Sequence, residues 1–272
     1  MWKVNRAEDK VNPMTTHIVT TREEWLEARL DLLAAEKDLT RRSDEVARLR
    51  QRLPWVRIDK PYVFDGPDGR VTLAQLFDGR HQLLVQHFML APGWEQGCPN
   101  CSYMADHTGG MTVHLAHRDV TFVAISRAPI ATIERFRQRM GWKFTWVSSY
   151  GTDFNYDFGV SFTPEEVAKG QINYNYGKWP LTGKEWPGVS AFYKDDTDDV
   201  FYTYSTYGRG VEVMMGTYRM LDITPMGRAE RGDTTYKMEW VRYHDRYEPE
   251  PIAKPMLAEA SCCSPYAKEA GS

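Results

Sequence analysis

Two cysteines three residues apart, in the tetrapeptide Cys98-Pro99-Asn100-Cys101, have the types and spacing to do chemistry. The apolar run Leu83-Leu84-Val85-Gln86-His87-Phe88-Met89-Leu90 precedes them and reads as a buried strand. A turn-rich link follows, Ala91 to Gly97, and Ser102 to His107 then continues as a helix. A cysteine pair at the start of a helix after a core strand suits redox chemistry. Helix N-termini carry unpaired N–H groups and partial positive charge, which favour thiolate over thiol, and thiolate is the species that attacks a disulfide. In this reading Cys98 attacks at the exposed helix start and Cys101, one turn inside, resolves the mixed disulfide. Pro99 stiffens the turn and supplies no N–H, so it shapes which amides face the sulfur.

The same residue types also suit a metal, since two thiolates with two imidazoles make a tetrahedral zinc site. His107, His114 and His117 follow the pair, and His114 and His117 share a helix face. A rigid helix would carry those two away from its own N-terminus, so histidines on the surface or packed in are the simpler expectation, and neither a metal nor a cofactor is expected. A covalent haem attachment is not expected, because Ser102 stands where that motif needs His.

The elements that must hold this pair come from 272 residues, enough for one domain with extensions or for two. An apolar fraction of 42% suffices for a core, and the formal net charge of −3 with no basic block leaves no electrostatic footprint for nucleic acid. No apolar run approaches a membrane span, and the first thirty residues lack the core of a signal peptide, so a cytoplasmic location is expected. The four cysteines fall in two tight pairs, Cys98/Cys101 and Cys262/Cys263, unlike a disulfide-stapled domain.

Along the chain, polar residues 1–16 precede a long helical segment over 23–53, with Leu26, Leu30 and Leu33 on one stripe and Val46, Leu49 and Leu53 on another; Pro54 ends it. Such an arm covers a domain face or pairs with a second copy in a homo-oligomer. Residues 62–64 and 71–73 form a hairpin around a Gly/Pro/Asp turn, and residues 74–77 a helical turn. The strand at Leu83 leads to the dithiol helix, expected to run to His117. Residues 120–125 make a second buried strand, Pro129 opens a helix that Gly141 closes, and residues 144–147 form a short strand. Residues 150–188 are aromatic, glycine-rich and irregular, and would either wall a pocket or form a second small core. A hairpin at 189–193 and 200–204 and a closing helix over 209–220 complete the domain, and a tail begins at Glu248. The resulting division is a helical extension at 1–54, a domain at 55–247 and a flexible tail at 248–272.

Without its additions, the order is strand, dithiol helix, strand, helix, hairpin, helix. This is the order of the thioredoxin fold, an α/β fold with a central mixed sheet flanked by helices. The leading hairpin and the inserted strand match its peroxiredoxin-like elaborations, and the N-terminal helix is a long added arm. That fold implies three supporting positions. Trp94, four residues before Cys98, stands where related proteins carry an aromatic bordering the dithiol. A cis-proline before the late hairpin binds substrate backbone in such folds; Pro187 is the nearest candidate, Gly188-Val189 an alternative, and an ordinary turn proline an equal reading. His87, at the end of the first core strand, is a candidate for proton transfer or a satisfied core histidine. His244-Asp245 reads as an oriented imidazole near the site or as a structural hydrogen bond. Cys262-Cys263 in the tail reads as an electron relay or as unused surface thiols.

Several stretches carry a family resemblance: Glu24-Trp25-Leu26-Glu27-Ala28-Arg29, Leu53-Pro54-Trp55-Val56, His87-Phe88-Met89, Gly97-Cys98-Pro99-Asn100-Cys101-Ser102 and Ser126-Arg127-Ala128-Pro129. Further ones are Arg139-Met140-Gly141-Trp142, Asp153-Phe154-Asn155, Thr203-Tyr204-Ser205-Thr206-Tyr207, Leu221-Asp222-Ile223-Thr224-Pro225 and His244-Asp245-Arg246-Tyr247. Over residues 18–247 the chain resembles a bacterial thioredoxin-like family known as predicted dithiol–disulfide oxidoreductases of unknown function. The resemblance implies architecture more than substrate.

Three functions fit these readings. The first is a thiol–disulfide oxidoreductase acting on disulfides and recharged by a cellular thiol reductant. The second is a thiol peroxidase in which Cys98 attacks peroxide and Cys101 condenses with the sulfenate. Against it, Glu95 stands three residues before Cys98, where the peroxidatic pattern needs Thr or Ser. The third is a non-enzymatic protein using the dithiol for metal binding or redox sensing.

Overall fold

The computed structural model describes residues 18–180, 183–230 and 238–248. Its first element, α1 (Arg22–Gln51), starts where the sequence supplies a reciprocal cap: the Thr21 hydroxyl accepts from Glu24 N–H while the Glu24 carboxylate reaches back to Thr21 N–H. Glu23 and Glu24 in its first turn and Arg48 and Arg50 in its last complement the helix dipole. No residue of α1 is buried.

Ten strands follow: β1 (Val56–Arg57), β2 (Val63–Gly66), β3 (Gly69–Thr72), β4 (Gln82–His87), β5 (Val120–Ser126), β6 (Thr145–Ser148), β7 (Ile172–Tyr174), β8 (Gly177–Trp179), β9 (Gly188–Lys194) and β10 (Val200–Tyr207). Eight of them share one sheet in the order β1-β10-β9-β4-β5-β6-β2-β3. β4, β5 and β6 run parallel, while β9 lies antiparallel on β4 and β10 antiparallel on β9. The four central strands β5-β4-β9-β10, with the helices between them, are the thioredoxin arrangement. β6 and the β2–β3 hairpin extend one edge, and β1 extends the other.

The helices after α1 are α2 (Pro99–Asp106), α3 (Thr112–His117), α4 (Ile130–Met140), α5 (Phe154–Asp157), α6 (Pro164–Ala168) and α7 (Gly216–Leu221). The helix expected to run from the dithiol to His117 is thus two helices. The chain turns at Thr108-Gly109-Gly110, where Thr108 N–H and hydroxyl both go to the Ala105 carbonyl. The expected closing helix also divides, into a 3-10 stretch at Gly208–Met214 and α7. Gly141 ends α4 in the left-handed region at φ 70°, as a C-terminal glycine should.

Alternation along the strands sends successive side chains to two cores. Leu83 and Val85 of β4, Val123 and Ile125 of β5 and Val147 of β6 face a cluster with Phe64, Phe77, Phe154 and Phe192. On the opposite face Leu84, Phe122, Ala124 and Trp146 pack with Phe88, Met104, Phe136 and Trp142, the side that carries α2 and α4. The aromatic stretch 150–188, whose aromatic content argues for ordered packing, carries regular elements among its described residues. It holds α5, α6 and the β7–β8 hairpin around a third small core of Val160, Phe162, Ile172, Tyr174 and Tyr207. Among the described residues, no helix is long and apolar enough to cross a membrane.

Candidate functional site

The dithiol sits where β4 hands over to α2. Past the end of the strand the backbone runs on through Phe88 and Leu90, which the neighbouring strand and loop hold: Phe88 N–H donates to the Ile125 carbonyl at 2.9 Å and Ala128 N–H to the Leu90 carbonyl at 2.8 Å. The link then turns back on itself, so that Cys98 N–H donates to the Met89 carbonyl at 2.9 Å. Cys98 becomes the N-cap of α2, in extended conformation (φ −60°, ψ 131°), with Pro99 as the first helical residue. Its carbonyl takes the first helical hydrogen bond, from Ser102 N–H, and the Ser102 hydroxyl as well, each at 3.0 Å.

The two sulfurs lie in opposite electrostatic settings. Cys98 is half-buried and Cys101 is 1% exposed; both are free thiols. The Cys101 thiol and the N–H groups of Cys101 and Asn100 all point at the Cys98 sulfur, lowering its pKa from 9.0 to about 7 against the opposing cost of burial. Cys101 moves the other way. The hydrogen bond it donates to Cys98, burial and the nearby Cys98 charge all hold its thiol well above the ordinary range, with only the Met89 backbone acting to lower it. Met89 therefore binds both cysteines, Cys98 through its carbonyl and Cys101 through its own backbone contact.

Gly97 is required by space. A Cβ there would stand 2.8 Å from Cε1 of Phe136 and closer still to the ring of Phe88. Its carbonyl accepts the hydroxyl of Tyr243 at 2.6 Å. Tyr243 belongs to residues 238–248, which pass over this end of the dithiol helix. Arg139 on α4 ties them down with a two-pronged bond to Asp245, both contacts at 2.9 Å, while its Nη1 donates to Gln96 Oε1 at 2.6 Å and its guanidinium lies 4.9 Å from the Tyr243 ring centre. A three-way latch of Tyr243, Arg139 and Asp245 thus closes on the link that delivers Cys98.

The sequence-predicted positions separate into those brought to the dithiol and those kept from it. Pro99 lies within the pair. Trp94 is in the link, 41% exposed, its N–H on the Ala91 carbonyl at 3.1 Å. Gly188, just after Pro187, is paired in register with His87. Among the described residues no peptide bond is cis, so Pro187 is trans. Its carbonyl already accepts the Tyr174 hydroxyl at 2.6 Å, and Trp186 N–H donates to the Val160 carbonyl at 2.8 Å.

His87 faces away from the dithiol. It shares parity with Leu83 and Val85, so its ring lies among Phe154 and Phe158 on the other face of the sheet, with Nε2 2.7 Å from the Ser190 hydroxyl. Burial lowers its pKa from 6.5 to about 3, and it is a neutral core histidine. The β4 residue that does reach the dithiol helix is Gln86, whose Nε2 donates to the Cys101 carbonyl at 3.0 Å.

The histidines considered for a metal have other work or other places. His107 Nε2 accepts Thr217 N–H at 3.0 Å, which leaves Nδ1 to donate to the Tyr103 carbonyl at 2.6 Å, so it joins α2 to α7. His114 and His117 are exposed on α3. Among the described residues no group of three or more metal-ligating side chains is gathered. His244 and Asp245 do not pair with each other: His244 Nδ1 meets Asp106 at 2.6 Å, beside Trp142 Nε1 at 2.8 Å on the same oxygen, and Asp245 goes to Arg139. Cys262 and Cys263 lie outside the described residues.

Sequence reasoning missed Tyr243, Arg139, Gln86 and the part played by Met89. Parity along β4 could have found Gln86; nothing local marks Tyr243, which is 146 residues from Gly97.

No curated protein matches the chain. The solved structures to which it is similar include three peroxiredoxins. One is peroxidoxin BcpB from Mycobacterium tuberculosis, at 15% identity over 62% of this chain and 97% of the other, TM-score 0.41. Another is peroxiredoxin Q from Xanthomonas campestris, at 12% identity over 62% and 96%, TM-score 0.38. The third is the mitochondrial 2-Cys peroxiredoxin from Plasmodium falciparum, at 13% identity over 62% and 92%, TM-score 0.36. A family model matches residues 14–247, and on that match the chain belongs to the family described as bacterial protein of unknown function (DUF899).

Proposed function

We propose that this protein is a thiol–disulfide oxidoreductase that cycles Cys98 and Cys101 between dithiol and disulfide. The observation that carries the reading is the asymmetry of the pair: a half-buried sulfur at a helix N-terminus, receiving the thiol of a buried partner that keeps its proton. A nucleophile and its resolving thiol need these opposite environments.

In the reductive direction, the Cys98 thiolate attacks one sulfur of a substrate disulfide. A Cys98–substrate S–S bond forms, the substrate S–S bond breaks, and the departing sulfur leaves as thiolate and takes up a proton. Cys101 then loses its proton and attacks the Cys98 sulfur, closing the Cys98–Cys101 disulfide and releasing the second substrate thiol. Two electrons pass to the substrate, and a cellular dithiol returns them to the protein. Pro99 holds the turn, and Trp94 borders the mouth of the site as an exposed aromatic. Pro187, one residue ahead of the start of β9, would contribute shape, since its carbonyl is occupied by Tyr174.

The test is oxidation of the reduced full chain by a low-molecular-weight disulfide and, separately, by hydrogen peroxide, followed by thiol counting and peptide mapping. The proposal expects a reversible Cys98–Cys101 disulfide, formed readily with the disulfide reagent. Oxidation that is rapid with peroxide and negligible with disulfides would replace it with a thiol peroxidase. A pair that forms no disulfide with either and retains zinc would remove both enzymatic readings.

A further inference from the structure

α1 is about 45 Å long at 1.5 Å per residue and buries none of its side chains. It meets the domain near its end, where Arg50 Nε donates to the Tyr204 hydroxyl at 3.3 Å. Its free surface is far from uniformly polar. Trp25, Leu32, Leu39, Val46 and Leu53 recur at seven-residue intervals, with Ala28, Ala35 and Leu49 on the adjoining line, which Arg42 interrupts. Four of the five are 43–69% exposed. A strict seven-residue apolar repeat keeps one seam toward a partner helix when two helices wind around each other.

The charges of α1 are divided along its length. Residues 22–36 carry five carboxylates and two arginines, net −3, while residues 37–53 carry six cations and three carboxylates, net +3. A parallel pairing of two copies would set like on like. An antiparallel pairing sets each acidic half on the other's basic half. The apolar repeat is symmetric about Leu39, as a two-fold axis crossing the helix there requires, bringing Trp25 level with Leu53 and Leu32 level with Val46 of a second copy.

We infer that α1 is a dimerisation arm whose partner is the α1 of a second copy of this chain, paired antiparallel about a two-fold axis near Leu39. The same self-complementary surface is used by both copies, so the contact closes at two chains. The dithiol stays outside this interface, and dimerisation is independent of the redox chemistry.

The test is sedimentation equilibrium on the full chain and on two charge-reversed variants. Glu23→Lys/Glu27→Lys/Asp31→Lys makes both halves of α1 net +3, and Arg41→Glu/Arg48→Glu/Arg52→Glu makes both halves net −3. The wild-type chain should sediment at twice its mass, each variant alone at once its mass, and an equimolar mixture of the two variants again at twice. Recovery on mixing shows that neither variant lost the dimer by misfolding. A wild-type chain that stays monomeric, or that binds lipid vesicles while monomeric, would overturn the proposal. So would two variants that each remain dimeric alone, since the interface would then lie elsewhere.

Discussion

Tyr243 donates its hydroxyl to the carbonyl of Gly97 at 2.6 Å, so a residue near the end of the described chain grips the peptide leading into Cys98. Because Gly97 has no room for a Cβ and Cys98 N–H is fixed on Met89, this bond completes the enclosure of the link on three sides. Tyr243→Phe removes the donor and leaves the ring in place. The expected loss of stability is about 1–3 kcal/mol, the cost of leaving the carbonyl of buried Gly97 without its donor. Urea unfolding measures the loss, and iodoacetamide labelling should show Cys98 reacting faster as the link loosens.

Gly97→Ala asks for space that Phe88 and Phe136 occupy. Overpacking of this kind costs about 1–3 kcal/mol, and here the strain falls one residue from the attacking sulfur. The variant should lose stability by that amount in urea and should also lose disulfide turnover. Turnover at the wild-type rate would mean that the link is softer than this packing implies.

Cys98 should alkylate as a thiolate whose fraction rises through a midpoint near pH 7, below the ordinary 9.0. The leading cause is the hydrogen bond from the Cys101 thiol, so Cys101→Ala should move the midpoint upward. At pH 7 the variant would then hold less thiolate and label more slowly. Iodoacetamide rates measured from pH 5 to 10 check both statements, and an unmoved midpoint would transfer the effect to the helix N-terminus alone.

His87 makes a stability prediction of defined sign. Its folded pKa, about 3, lies below the ordinary 6.5 because burial disfavours the charged ring. Above pH 6.5 the ring is neutral folded and unfolded, and it contributes no pH dependence. Between 6.5 and about 3 the unfolded chain binds a proton that the folded one refuses, so stability falls as pH falls, by about 1.4 kcal/mol per unit from this group. His87→Gln should flatten the dependence over that window. Comparing slopes of unfolding free energy against pH isolates the group from any uniform loss the substitution brings.

The dithiol and the order of elements could be read from the sequence because their signals are local. An apolar run, a turn-rich link and a capped helix each announce themselves within a dozen residues, as Thr21 with Glu24 does for α1. The face that His87 takes was also legible in principle: it follows Leu83 and Val85 at intervals of two, whereas Gln86 and Phe88 alternate to the dithiol side. The break at Gly109-Gly110 has no clear sequence signal, because the apolar and polar pattern continues beyond it. The latch of Tyr243, Arg139 and Asp245 had no local signal at all. Its partners come from α4 and from a segment roughly a hundred residues later, and only the folded chain brings them to Gly97. β1, a two-residue strand added to the edge at β10, is likewise a product of tertiary pairing.

The division of labour between the two cysteines is tested most directly by trapping the mixed disulfide. Cys101→Ser and Cys98→Ser chains are each incubated with a disulfide substrate at neutral pH, and the adducts are mapped by mass spectrometry, which separates this pair from Cys262 and Cys263. A stable adduct is expected on Cys98 in the Cys101→Ser chain and no adduct on Cys101 in the Cys98→Ser chain. An adduct on Cys101, or none on Cys98, would contradict that division.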